Sequence, residues 1–297
     1  MVYLSAIHLF WSTNERNTHK LKSLFWGIRY RRWITTLVSG MEQRSIRYVL
    51  TLHPYLLFMC RLKAYVIKEV SPEFTLQRLL GHYSFLHQKA GEQGVRAIHG
   101  QGLKIGETTI AGKPVELILY YNHLMRYEGQ CTLKFLVGGD VFYQAHLHFF
   151  DNALWIGGFQ GRSGNLEEAR KFTKDTFGLR PHNFMYLMLT VLARKFDVQH
   201  IYAISGTHHY YQKEEKTQNK IRFDYDQFWQ ELGGQSRADG VWVSLPLIYP
   251  RKTPEEIPGK KRSQYNQRYA LMDTIEQAML SPEQTLTTAQ EQSLLAG

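Results

Sequence analysis

Glu128, in the stretch Tyr127-Glu128-Gly129-Gln130, and the pair His208-His209 are the side chains of this chain best suited to move a proton. A histidine titrates near working pH, which makes either of the pair a candidate general base, and the Glu128 carboxylate is a second candidate. Gly157, Gly158, Gln160 and Gly161 close the stretch LWIGGFQG, which begins as an apolar strand and ends in bare backbone. Glycine inside a strand marks a bulge, a bend or a place where something approaches the main chain. Here it reads as a ligand-facing strand or as a bend that lets a helix pack closely, with Gln160 holding a carbonyl or capping loose backbone. Arg180-Pro181-His182 open a helix, where free N–H groups and the dipole favour an anion, unless they form an ordinary cap with a solvated arginine. Lys260-Lys261-Arg262 stand before the last helix, where cations oppose the macrodipole. Either an anionic partner relieves that conflict, or the helix starts near Ser263 and the cations sit in a solvated loop. His146 and His148 share one strand face, but no third ligand falls at a telling spacing, so no metal site is expected.

The elements that hold these residues follow from periodicity. CTLKFLV alternates, with Cys131, Leu133, Phe135 and Val137 on one face and Thr132 and Lys134 on the other. Gly138-Gly139-Asp140 signals a hairpin, VFYQAHLHFF returns, and Asp151-Asn152 turns the chain into LWIGGFQG. With PVELILYYNH upstream this is an antiparallel meander. NLEEARKFTKDTFG then reads as a helix from Asn165 to Gly178, and Phe184–Ala193 as a helix apolar nearly all round. HIYAIS is a strand, so a strand, a helical crossover and a parallel strand are expected in succession. GTHHYYQKEEKTQNK reads as a mobile polar loop. DYDQFWQELGG is a short helix with Tyr225, Phe228, Trp229 and Leu232 on one stripe, and Asp224 and Asp226 start it. GVWVSLPL is a last strand. A final helix carries Tyr265, Tyr269, Met272, Ile275 and Met279, and the tail from Ser281 is expected to fray. Residues 1–95 read as a helical region, 96–250 as an α/β core and 251–297 as a basic amphipathic helix with its tail.

The chain has 297 residues, 43% hydrophobic and 21% charged, which is a folding composition. A net charge of +10 favours anionic partners: anionic lipid, coenzyme A or an acidic protein. No recognisable nucleic-acid module accompanies it, so nucleic acid is not expected. Cys60 and Cys131 supply neither a disulfide framework nor a metal spacing, in keeping with a reducing compartment. The first eleven residues are apolar without a basic leader or cleavage site, so a signal peptide is not expected. No stretch reaches the roughly 18–20 apolar residues that span a bilayer. The cytoplasm is the expected location, with peripheral contact to the inner membrane. LKSLFWGIRYRRWITTLVSG mixes Phe25, Trp26, Tyr30 and Trp33 with Lys22, Arg29, Arg31 and Arg32, either a membrane-surface helix or a core helix with a solvated basic side. No serine-nucleophile elbow, Walker loop or zincin motif is present.

IGGFQG, FTKDTFGLRP, FDYDQFWQELGG followed by SLPL, and KKRSQYNQRYALMD, supported by GHYSFL and YEGQCTL, resemble the VirK/YbjX family of Gram-negative bacteria. The resemblance covers roughly residues 75–280. It implies association with virulence, antimicrobial-peptide resistance and the cell envelope, and it carries no catalytic residues. The segment order is also similar to the GNAT acyltransferase core, which implies an α+β fold with a mixed, mainly antiparallel sheet behind the N-terminal helical region. In that superfamily the glycine-broken strand and the next parallel strand splay into a wedge that takes a pantetheine arm. The usual pyrophosphate loop is absent; FGLRPHNF stands in its place, and an extra helix follows the glycine strand. The resemblance implies an acyltransferase without a tightly bound cofactor, using acyl-CoA or an acyl carrier protein as co-substrate on an envelope-related acceptor. Glu128, His208 or His209 would then be the base, and Gly157, Gly158, Gln160, Gly161, Arg180 and His182 would hold the carrier. The alternative is a non-catalytic factor binding an envelope component through a basic surface, with Lys260, Lys261 and Arg262 as its anion contacts. A transferase predicts an open gap beside Gly158 with a titratable group at its mouth; a wedge filled by side chains favours the binding factor.

Overall fold

The computed structural model describes residues 24–41, 44–162, 164, 166–213 and 223–281. Expectations that concern the first 23 residues, Asn165 as a cap, the second half of the polar stretch and the tail beyond Ser281 lie outside the described residues.

Short turns build the sheet. Gly138-Gly139, Ala111-Gly112 and Asp151-Asn152 each occupy the left-handed region at both central positions of a two-residue hairpin. That geometry matches the strand twist. These turns join β3 (Leu103–Ile110), β4 (Lys113–Tyr120), β5 (Cys131–Val137), β6 (Asp140–Phe150) and β7 (Ala153–Gly161) into a meander, with a longer connection between β4 and β5. β8 (His200–Ile204), β10 (Trp242–Leu245) and β9 (Gln235–Ser236) complete an eight-stranded open sheet in the order β3-β4-β5-β6-β7-β8-β10-β9. β7 and β8 pair in parallel, and all other neighbours are antiparallel. The fold is therefore α+β with a mixed, mostly antiparallel sheet.

Helices close it. α1 (Arg31–Gly40) and α2 (Arg44–Leu52) lead through a 3-10 stretch (Pro54–Arg61) to a small hairpin, β1 (Ala64–Tyr65) and β2 (Ile67–Lys68), which periodicity alone does not reveal. α3 (Pro72–His99) starts at Ser71, whose hydroxyl accepts the Phe74 N–H, and it is broken at Gly91. It crosses the end of the sheet where β4 and β6 finish: His82 Nδ1 accepts the Phe149 N–H, and Ile98 C=O accepts the Tyr121 N–H. After β7 come α4 (Leu166–Asp175) and α5 (Pro181–Lys195). Phe184 to Ala193 of α5 are buried without exception, and the Thr190 hydroxyl is satisfied by Leu187 C=O. α6 (Tyr225–Glu231) is capped by Asp224, whose carboxylate accepts the Gln227 N–H. α7 (Arg262–Leu280) buries Met272, Ile275 and Met279, with Tyr265 and Tyr269 half-buried. Both cysteines are free and buried. No helix among the described residues is long and apolar enough to cross a membrane.

Candidate functional site

The site forms where β7 leaves β8. Ala153–Ile156 pair with His200–Ala203, and the parallel register stops there. On its other side Leu147 pairs with Ile156 but His146 with Gly158, so Gly157 is the extra residue of a bulge. Beyond it β7 follows β6 alone and would leave an unpaired edge.

That edge is occupied. The Tyr225 hydroxyl, at the first residue of α6, accepts the Phe159 N–H at 3.0 Å and donates to Phe159 C=O at 3.2 Å. One side chain thus satisfies both backbone groups that β8 no longer reaches. Phe223, Phe228 and Trp229 pack around the Phe159 ring at centroid distances of 5.9, 5.5 and 5.6 Å. Trp229 is fully buried, and its Nε1 donates to Ile204 C=O at 2.9 Å, which fastens α6 to β8. The wedge between β7 and β8 is filled by side chains.

The glycines answer to a different neighbour. Neither Gly157 nor Gly158 has positive φ, so space rather than backbone conformation explains them. The Tyr127-Glu128-Gly129 segment lies against them. A Cβ on Gly157 would overlap Glu128 C=O, and one on Gly158 would overlap the Glu128 carboxylate. A Cβ on Gly129 would in turn overlap the Leu147 backbone. Val66 N–H donates to Tyr127 C=O at 2.7 Å and Gln130 N–H to Leu147 C=O at 2.9 Å, pinning the segment on both sides.

Glu128 is therefore held inside at 5% exposure, facing His209 at 2%. His209 Nδ1 accepts the Tyr211 N–H at 3.3 Å, which leaves the proton on Nε2, 3.7 Å from Glu128 Oε2. That spacing is too long for a hydrogen bond. His209 sits in 3-10 turns packed onto the sheet, its ring stacked on Tyr225 at 5.0 Å, and not in a solvated part of the polar stretch. Beside them His146, fully buried, joins Thr132 Oγ1 at 2.9 Å and the Gln160 amide nitrogen at 2.8 Å. With that amide donating, Nδ1 carries the proton to Thr132. Burial lowers the His146 pKa, with His209 adding to the effect and Glu128 opposing it. Burial and then the Glu128 charge raise the Tyr225 and Tyr211 hydroxyls, so both stay protonated as donors.

Next to Gly161 the surface opens into a cleft of about 430 Å³. Phe142, Tyr143 and Leu166 supply apolar wall; Arg162, Arg170, Arg180 and His182 supply charge and polarity. Asp140 reaches Arg162 at 3.3 Å and Glu167 reaches Arg170 at 2.9 Å, both from exposed positions. Arg180 is the N-cap residue of α5 and makes no side-chain cap, so the first-turn N–H groups add to the positive field. Burial, then Arg180, lowers the His182 pKa to about 4, and the ring is neutral near pH 7. His182 also touches Phe228 edge-on at 5.0 Å, linking this cleft to the filled wedge.

The structure thus gathers Glu128, His209, Gly157, Gly158 and Gln160 around one buried cluster, and Gly161, Arg180 and His182 around the neighbouring cleft. His208 turns to Ser205 and Thr207, each 3.0 Å from its Nδ1. Lys260 and Lys261 lie in a 3-10 turn and Arg262 opens α7, all exposed and without a described contact to either place. No three His, Cys, Asp or Glu side chains among the described residues converge as metal ligands. Sequence reasoning missed Tyr225, His146 and Thr132 as cluster members, and Arg162 and Arg170 as cleft members. Counting back from the Asp151-Asn152 turn would set His146 opposite Gly157; the bulge moves it to Gly158.

The family described as "Protein of unknown function (DUF535)" matches residues 12–281. The chain is 27% identical over 230 residues to the "Uncharacterized protein YbjX" of Escherichia coli K12, covering 73% of this chain and 69% of that protein. An "Uncharacterized protein" of Haemophilus influenzae Rd is 33% identical over 165 residues, 54% of this chain and 55% of its own length. A further "Uncharacterized protein" of that organism is 33% identical over 134 residues, 42% and 41%. No solved structure matches the chain.

Proposed function

Because the chain belongs to the DUF535 family, that of VirK and YbjX, we propose that it is an envelope-associated binding protein. It takes a phosphate-bearing, partly apolar ligand in the arginine cleft and performs no thioester chemistry. The observation that carries this reading is the Tyr225 hydroxyl on Phe159, which occupies the backbone groups a pantetheine arm would need. Vacating the wedge would pull Phe228 and Trp229 from the core, at about 2–3 kcal/mol for each large side chain exposed. The cleft needs no such rearrangement. Three arginines supply forked donors to phosphate oxygens, and Phe142 and Leu166 face the apolar remainder of the ligand.

Calorimetric titration with coenzyme A and with glycerol 3-phosphate tests it, alongside incubation with radiolabelled acyl carriers and envelope precursors. The expected result is binding of at least one phosphate probe, weakened about tenfold or more in Arg162→Gln/Arg180→Gln, with no acyl transfer. Transfer that disappears in Glu128→Gln would overturn the proposal.

Such transfer would favour a second reading, which rests on the buried Glu128–His209 pair beside Phe159. In it Tyr225 swings off Phe159, and a thioester from acyl-CoA or an acyl carrier protein enters. Glu128 takes the proton of the envelope acceptor, which attacks the carbonyl. The Phe159 N–H stabilises the oxyanion, the C–S bond breaks, and the thiolate takes the proton that Glu128 accepted.

A further inference from the structure

Three of the large apolar side chains exposed among the described residues sit in one helical turn: Leu24 at 42%, Phe25 at 65% and Ile28 at 64%. Residues 24–29 are helical and run on toward α1, with Tyr30 N–H bonded to Trp26 C=O and Ile34 N–H to Tyr30 C=O. Phe25, Ile28, Arg29 and Arg32 follow at i, i+3, i+4 and i+7, so they form one outward stripe. Arg31 is exposed beside it. The opposite stripe, Trp33, Ile34, Leu37 and Met41, is buried in the core. Trp33 Nε1 donates to Pro72 C=O at 2.7 Å, and the Arg61 guanidinium lies 3.1 Å over the Trp26 ring. The helix cannot roll its apolar residues inward without breaking those contacts. From Lys20 to Met41 the sequence holds no acidic residue.

We propose that this helix docks the protein on an anionic bilayer surface, Phe25 and Ile28 entering the acyl boundary and Arg29, Arg31 and Arg32 lying at phosphate level. Apolar residues at one end and arginines in the next turn match the depth profile of an interfacial helix. The absence of acid distinguishes the bilayer from a second copy of this chain, whose matching face would repel its own arginines. This surface involves none of the cleft residues, and its failure would leave the cleft proposal standing.

The test is co-sedimentation of the full chain with vesicles of phosphatidylethanolamine and phosphatidylglycerol, against vesicles of phosphatidylcholine. The expected result is pelleting with the anionic vesicles and little with the neutral ones. Phe25→Ser/Ile28→Ser should lower partitioning at least about tenfold. Arg29→Gln/Arg31→Gln/Arg32→Gln should lower it about fivefold per arginine at low salt. All five positions are exposed, so both variants should melt with the wild type. Arg162→Gln/Arg180→Gln should pellet as the wild type does. Equal binding to neutral and anionic vesicles, or wild-type binding by Phe25→Ser/Ile28→Ser, would overturn the proposal. So would a dimer that this double variant dissolves, because the face would then belong to a second copy.

Discussion

Gly157→Ala and Gly158→Ala insert the same methyl one residue apart, yet they should behave differently. Neither position has positive φ, so alanine costs no backbone strain, and the outcome depends on what the methyl meets. At Gly157 it meets Glu128 C=O, with Val66 Cγ1 at 3.1 Å. That carbonyl belongs to a segment pinned through Tyr127 C=O and Gln130 N–H, so relief requires breaking buried backbone hydrogen bonds. The expected loss is about 3 kcal/mol or more. At Gly158 the methyl meets the Glu128 carboxylate, the far end of a rotatable side chain, with His146 Cδ2 at 2.8 Å as a second contact. The carboxylate can turn aside at the cost of its His209 pairing, for an expected loss of about 1–3 kcal/mol. Glu128→Ala removes the main obstruction. A double-mutant cycle of Gly158→Ala with Glu128→Ala should therefore give a favourable coupling of about 1–2 kcal/mol, whereas Gly157→Ala should gain nothing from the same background. Urea unfolding followed by tryptophan fluorescence measures all six proteins, with a constant m-value as the check on two-state behaviour. If Gly158→Ala is as damaging in the Glu128→Ala background as in the wild type, or if Gly157→Ala is the milder change, the close-approach account of these glycines is wrong.

Tyr225→Phe keeps the ring but strips the partner from Phe159 N–H and C=O, and it should cost about 2–3 kcal/mol in urea unfolding; an unchanged midpoint would show that the hydroxyl does not close the wedge. Stability should fall as pH drops from about 6.5 toward 4. His53 and His182 are held down to about 4 by burial, then by His123 and Arg180 respectively. In that window the unfolded chain binds protons the folded chain refuses, so stability is complete above the unfolded value and declines with falling pH. Each histidine contributes a slope no steeper than about 1.4 kcal/mol per pH unit. Unfolding at pH 7, 6 and 5 should show His182→Gln with a shallower decline than the wild type, and parallel curves would contradict this. His209→Phe should retain the stacking on Tyr225 while leaving Glu128 without its histidine, and a loss of about 1–3 kcal/mol is expected in urea unfolding at pH 7; no change would mean that water already serves the carboxylate.

Much of the framework could be read locally. The alternation of CTLKFLV marks β5 at Cys131–Val137, and the two-glycine turn after it sets the first pairs with β6, Val137 with Asp140 and Leu136 with Val141, before a bulge shifts the register. The all-round apolarity of Phe184–Ala193 announces a buried crossover helix, and a crossover of that length requires the parallel β7–β8 pair that is found. Of the site, Glu128, His209 and the glycine strand could be named but not joined. The β1–β2 hairpin is two residues per strand, too short for any period to register. His209 lies in a stretch whose composition reads as solvated, and only its packing on Tyr225 buries it.

The sequence by itself determined the strands, turns and buried helix, because side-chain period, paired left-handed turn residues and helix caps act within a few residues of one another. It also marked LWIGGFQG as a strand that bulges, bends or meets a close neighbour, since glycine inside a strand packs nothing. Only the tertiary structure decided which neighbour. Tyr225 lies 66 residues from the backbone groups it satisfies on Phe159, and Glu128 reaches the same strand from the β4–β5 connection. No local pattern encodes such meetings, because they depend on the sheet order and on a one-residue bulge that moves His146 from Gly157 to Gly158. The parallel pairing of β7 with β8 stops after Ile156 and Ala203, and packing covers the freed edge with an aromatic side chain whose hydroxyl meets both backbone groups of Phe159.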